Sequence, residues 1–117
     1  MLDNMNAKQE LKIAQAIGKA LALYRKKTGL TQDQVAEKLD VERETVSRFE
    51  RGAVIPPIPR LYELADIYGC AVDDLLALSS SRTPDQIKDI AKLLDGMDEN
   101  HRKLAVAMIR ELSIHLK

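Results

Sequence analysis

Residues Thr31–Gly52, TQDQVAEKLDVERETVSRFERG, decide the fold. Val35, Ala36 and Leu39 recur at helical spacing, so they share one face of a short helix. Thr31 precedes that helix as a candidate N-cap, and Gln34 stands three residues on, the spacing of a capping box. A second short helix follows, with Val46 and Phe49 on its apolar face and Arg43, Glu44, Thr45, Ser47 and Arg48 on its outside. Asp40 and Val41 lie between the two, which leaves room only for a sharp turn.

This pair of helices resembles the helix-turn-helix of the phage Cro and cI repressor family, the XRE-like regulators. The resemblance rests on Gln32 opening the first helix, on Ala36 as the small residue where the helices touch, and on Val41 after the turn. Val46 and Phe49 take the core positions, and Glu50, Arg51 and Gly52 supply the family's Glu-Arg-Gly ending. Two positions depart from it. Asp40 occupies a turn position usually held by Gly, where the backbone has positive φ, a region Asp tolerates at some cost. Glu42 replaces the usual Ser or Thr cap of the second helix; this weakens the cap, although a carboxylate at a helix N-terminus is still favourable.

Outward from the motif, Ile13, Ile17, Leu21 and Tyr24 form an apolar stripe on a preceding helix, with Gly29 and Leu30 as its C-terminal signal. Residues 1–12 are read as a polar N-terminal extension, of which Ala7 to Lys12 can prolong this helix. The resemblance implies that Arg25 meets Glu50 in a bidentate structural pair. Leu23 falls where the family has a polar residue. On the other side, the proline-dense AVIPPIP leads to a helix over Ile58–Tyr68 ended by Gly69, then to a short helix over Val72–Leu76. A linker of Ser79–Arg82 precedes Thr83, read as an N-cap with Pro84 at the first helical position and Gln86 at the capping-box position. Ile87, Ile90, Ala91 and Leu94 line one face of that helix. Asp98 caps a last helix carrying Leu104, Ala105, Met108, Ile109, Leu112 and Leu116.

The expected architecture is therefore all-α: a five-helix Cro/cI-type DNA-binding domain over residues 13–78, then a C-terminal helical hairpin over 83–117. Ile87, Ile90, Leu94, Leu104, Met108, Leu112 and Leu116 are its candidate dimerisation residues, closing two hairpins into a four-helix bundle. Hydrophobic content of 45% and charged content of 31% in 117 residues fit a soluble domain with one core and an accessory element. Aromatic content of 3% and scarce strand signals favour helices. One cysteine excludes an intramolecular disulfide and suits a reducing compartment, so a cytoplasmic protein is expected, and the DNA binding that the resemblance implies would make it nucleoid-associated. Net charge is zero, but Lys19 to Arg60 carries nine basic and six acidic residues, and Leu61 onward seven basic and ten acidic. A basic head and an acidic tail suit a DNA-binding domain joined to a module that avoids DNA.

The resemblance places base reading on the outer face of the second helix. Arg43 and Arg48 are candidates for guanine, and Glu44 for cytosine or for positioning an arginine; Thr45 and Ser47 are versatile. Gln32 resembles the glutamine that bridges phosphate and recognition helix. Arg51, with Lys19, Lys27 and Arg60, is a candidate for phosphate. Asp33 and Glu37 occupy the exposed side on which activating members of the family touch RNA polymerase, but a plain solvated face is the favoured explanation of them. Cys70 reads as a packing residue. His101 and His115 are fourteen residues apart on one helix, about 21 Å, too far to share a metal within one chain. No phosphate loop, metal triad or nucleophile–base pair is visible, so no enzyme and no cofactor is expected. The sequence thus points to a repressor of palindromic operators acting as a homodimer on double-stranded DNA. An antitoxin paired with a toxin protein, or a protein-interaction adaptor that has left DNA, are the alternatives.

Overall fold

The computed structural model describes residues 6–116, and every regular element among them is helical. The helices are α1 (Ala7–Lys27), α2 (Gln32–Leu39), α3 (Arg43–Glu50), α4 (Ile58–Tyr68), α5 (Val72–Leu76), α6 (Thr83–Asp95) and α7 (Glu99–His115), with a 3₁₀ turn at Ala77–Ser79. The chain divides into two compact units, Met1–Ser81 and Arg82–Lys117.

Local chemistry explains where the helices of the first unit start and stop. Asn6 Oδ1 accepts from the Gln9 N–H at 2.9 Å, and Gln9 Oε1 accepts from the Asn6 N–H at 3.0 Å. This reciprocal cap starts α1 at Ala7, so half of the expected N-terminal extension is helix. At the other end, Gly29 takes φ +75°, and the Leu30 N–H reaches back to the Arg25 carbonyl at 3.3 Å. Leu30 then packs on the core, as a Schellman ending requires. Thr31 and Gln34 form the capping box of α2 (2.8 and 3.1 Å). Asp40 ends that helix at φ 57°, the one positive φ outside glycine among the described residues. Glu42 makes no side-chain bond to α3, leaving that helix without a side-chain cap. Pro59 sits in the first turn of α4, where its missing N–H costs nothing, and Gly69 ends the helix with φ +67°.

Packing follows from these ends. Leu21, Val35, Val46, Leu64 and Leu75 are completely enclosed, one from each of α1–α5, and Ile17, Leu39, Phe49, Leu61 and Tyr68 surround them. Each such apolar side chain contributes about 1.5–3 kcal/mol relative to exposure. Ile13, Tyr24, Val41 and Leu76 flank this core half-buried. Helix α1 and the end of α3 approach closely. A Cβ on Gly18 would stand 2.5 Å from the Glu50 carbonyl oxygen and 2.6 Å from that of Phe49. One on Gly52, itself at φ +73°, would stand 2.7 Å from the Gln15 Cα.

The second unit is the hairpin α6–α7. Its start differs from expectation. Thr83 is the first helical residue rather than the cap; Arg82 takes the cap position with no side-chain cap bond, and its carbonyl accepts from the Asp85 and Gln86 N–H groups at 3.1 Å. The Arg82 side chain lies 3.8 Å from the Asp85 carboxylate in that first turn, and Pro84 is the second helical residue. Asp98 caps α7 by accepting from the His101 N–H at 2.8 Å. Arg102 reaches back across the connection to the Leu94 and Met97 carbonyls (3.1 and 2.8 Å), a C-terminal cap of α6. No residue of either helix is buried. Ile87 is 60% exposed, Ile90 43%, Leu104 59%, Met108 61%, Leu112 60% and Leu116 80%, while Leu94 and Ala105 are half-covered.

Candidate nucleic-acid interface

Helix α3 is held by its inner face and by its last residue. Val46 and Phe49 are buried, which turns Arg43, Glu44 and Arg48 outward and leaves Thr45 and Ser47 half-covered beside them. At the C-terminal end, the Glu50 carboxylate collects bonds from two other helices. Arg25 donates through Nε to Oε2 at 2.7 Å and through Nη2 to Oε1 at 3.0 Å. Gln32 Nε2 donates to Oε1 at 3.0 Å. Arg25 also donates through Nη1 to the Leu30 carbonyl at 3.0 Å, so the guanidinium fork is filled on both sides. The Arg25 and Glu50 side chains are only 13% and 7% exposed. Hydrogen bonding to Glu50 raises the Arg25 pKa above its ordinary value, against an opposing effect of burial. The Tyr68 hydroxyl is buried without a hydrogen-bond partner among the described residues, and burial pushes its pKa well up.

The outward charges pair loosely. Arg43 Nε lies 3.8 Å from Asp33 Oδ1 of α2, and Arg51 Nη2 lies 2.8 Å from Glu44 Oε1. Arg51 Nε also donates to the Ser47 carbonyl at 3.4 Å, laying the guanidinium along α3. Arg48 is exposed, with no ion pair among the described residues. Arg43, Glu44, Thr45, Ser47, Arg48 and Arg51 thus lie on one helix and its exit. Gln32 is drawn to the buried end of that helix.

The further phosphate candidates differ in freedom. Lys19 is exposed. Lys27 Nζ lies 5.1 Å from the Tyr24 ring centroid, a cation–π contact. Arg60 is occupied: it donates to the Leu39 carbonyl at 3.0 Å, closing the C-terminus of α2, and pairs with Glu63 at 3.1 Å. A guanidinium aimed at a backbone carbonyl leaves no trace in residue spacing, which is why sequence reading misses both Arg60 and Arg102 as caps. Elsewhere, Cys70 is half-buried and burial raises its thiol pKa, away from thiolate reactivity. His101 pairs with Asp98 (2.8 Å) and His115 with Glu111 (3.4 Å). Among the described residues no helix is long and apolar enough to cross a membrane.

Comparison with known proteins agrees with this geometry. A family model described as a helix-turn-helix domain matches residues 16–78. The cryptic phage CTXphi transcriptional repressor RstR of Vibrio cholerae is 23% identical over 88 residues, covering 75% of this chain and 79% of RstR. The uncharacterized HTH-type transcriptional regulator YobD of Bacillus subtilis is 31% identical over 79 residues, covering 67% of this chain and 70% of YobD. Among solved structures, the clp gene regulator ClgR from Corynebacterium glutamicum superposes with a TM-score of 0.55 at 27% identity, over 71% of this chain and 90% of ClgR.

Proposed function

The chain belongs to the helix-turn-helix domain family of XRE-like, DNA-binding transcriptional regulators, and from that premise we propose that it is a repressor that binds palindromic operators as a homodimer. Helix α3 enters the major groove, with Arg43 and Arg48 reading guanine and Thr45 and Ser47 filling the remaining contacts. Gln32 and Arg51 face the flanking phosphates, and the Arg25–Glu50 pair keeps α3 at a fixed angle to α1. Repression follows from occupancy of a promoter. Such a regulator acts where the chromosome is, which we take to be the cytoplasm.

The observation that carries this reading is the outward row of arginines on a helix whose other face and far end are both locked. Dimerisation rests on the hairpin, most of whose apolar side chains are exposed and none of which is buried. An apolar face that wide marks an interaction surface, and packing two hairpins as a four-helix bundle gives it a self-complementary partner. Selection from a randomised duplex library, with sedimentation of the free protein, tests both parts. The expected result is a dimer at micromolar concentration and enrichment of a twofold-symmetric sequence whose half-sites lie about one helical turn apart. A library that enriches nothing, or a protein that binds its site as a monomer, overturns the proposal.

A further inference from the structure

The outward surface around α3 carries carboxylates as well as guanidinium groups: Asp33 stands beside Arg43, and Glu44 beside Arg51. A surface built only to hold phosphate has no use for them. The tightest of these contacts joins Arg51 to Glu44 at 2.8 Å, although both side chains are more than half exposed, at 58% and 69%. Nothing in the packing of α3 requires this pair, because Val46, Phe49 and Glu50 already hold the helix. The pair lies on the face turned toward DNA in the function proposed above, on which this inference rests.

We propose that Glu44 is a specificity-determining residue that keeps Arg51 off the phosphates of arbitrary DNA. A carboxylate is an acceptor only, so in the major groove it finds a partner on cytosine N4 or adenine N6 and none on guanine O6 and N7 or thymine O4. Over guanine or thymine, Glu44 faces lone pairs and retains Arg51, and the phosphate contact is lost or made at the expense of the ion pair. Over cytosine or adenine, Glu44 takes the base amine and Arg51 is released to the backbone. One residue thereby couples a base contact to a phosphate contact, so that sequence-independent attraction is withheld until the base matches.

The test is Glu44→Gln in the full chain, measured on a scrambled duplex between about 50 and 200 mM salt. The amide no longer holds Arg51 as an ion pair, so one further phosphate contact is expected. The slope of log affinity against log salt then steepens by about 0.9, and affinity at low salt rises several-fold. On the tightest sequence selected with the wild type, the specific-to-scrambled ratio falls about tenfold, and reselection with the variant loses a cytosine preference at one position per half-site, whereas an adenine preference, which an amide also satisfies, is kept. Glu37→Gln removes an equal charge from an exposed site on α2 and is the control for charge alone. A scrambled-duplex slope unchanged by Glu44→Gln, or matched by Glu37→Gln, overturns the inference. Failure of the library to enrich any sequence would instead strike the operator-binding reading, while the salt slope still decides the role of Glu44.

Discussion

Glu50 is the residue on which most of the first unit's geometry converges. Its carboxylate joins α3 to α1 through Arg25 and to α2 through Gln32. Because the Arg25–Glu50 pair is almost fully enclosed, deleting one partner strands a charge rather than merely losing an attraction. Glu50→Ala is therefore expected to cost about 3–5 kcal/mol of stability, against less than about 1 kcal/mol for a surface pair. Denaturant melts decide it; a midpoint unchanged by the substitution would mean that solvent screens the pair. Arg43 stands at the opposite end of α3, exposed and only loosely associated with Asp33. Arg43→Ala is expected to leave stability intact and to cost about 1–3 kcal/mol on the operator, with little effect on scrambled DNA. Competition binding separates the cases, since equal weakening on both duplexes would assign Arg43 to phosphate. Legibility at this scale is uneven. The outward set on α3 is visible from helical spacing, because burying Val46 and Phe49 determines where its neighbours point. Arg25 and Glu50 lie twenty-five residues apart, so no local pattern joins them; only the family resemblance suggests that they meet.

At the scale of elements, the chain is legible wherever a residue acts on its own backbone. Thr31 with Gln34, Gly29 with Leu30, Asp40, Pro59 and Gly69 all act within a turn, and they stand at the ends of helices in the structure. Misreading began where two local signals competed. Thr83 has the form of a cap, but the helical ladder starts one residue earlier, from the Arg82 carbonyl. Asn6 and Gln9 carry a full capping box that the apolar stripe beginning at Ile13 overshadows. Hidden altogether was Gly18, which in a helix interior reads only as a weak position worth about 1 kcal/mol less than alanine. Its reason is tertiary, since α1 lies so close to the carbonyls of Phe49 and Glu50 that no Cβ fits. Gly18→Ala should therefore destabilise the protein by about 1–3 kcal/mol, against the gain that helix propensity alone would give. Thermal melts of the variant give the sign directly, and a stabilised protein would mean that α1 can move away from α3 without loss.

For the whole molecule, the division of labour between the two units carries the consequences. Every buried residue of the described chain precedes Arg82, so the first unit has a core of its own and the hairpin has none. The hairpin from Arg82 onward carries seven basic and six acidic residues, so its charge is nearly balanced, and what it brings to the molecule is its apolar face rather than an electrostatic field. A chain cut after Ser80 is accordingly expected to stay folded, with the melting of its core little changed, and to sediment as a monomer. A lone α3 reads only a few base pairs, and twofold symmetry adds the second half-site by raising its local concentration rather than by adding contacts to the first. Losing that tether lowers operator affinity by about 10²–10⁴-fold, while binding to scrambled DNA, which needs no second half-site, falls much less. Sedimentation and binding on the same truncated sample distinguish the two roles of the hairpin. A fragment that remains dimeric would transfer dimerisation to the first unit, and a monomeric fragment that keeps full operator affinity would leave the hairpin's apolar face to a different partner.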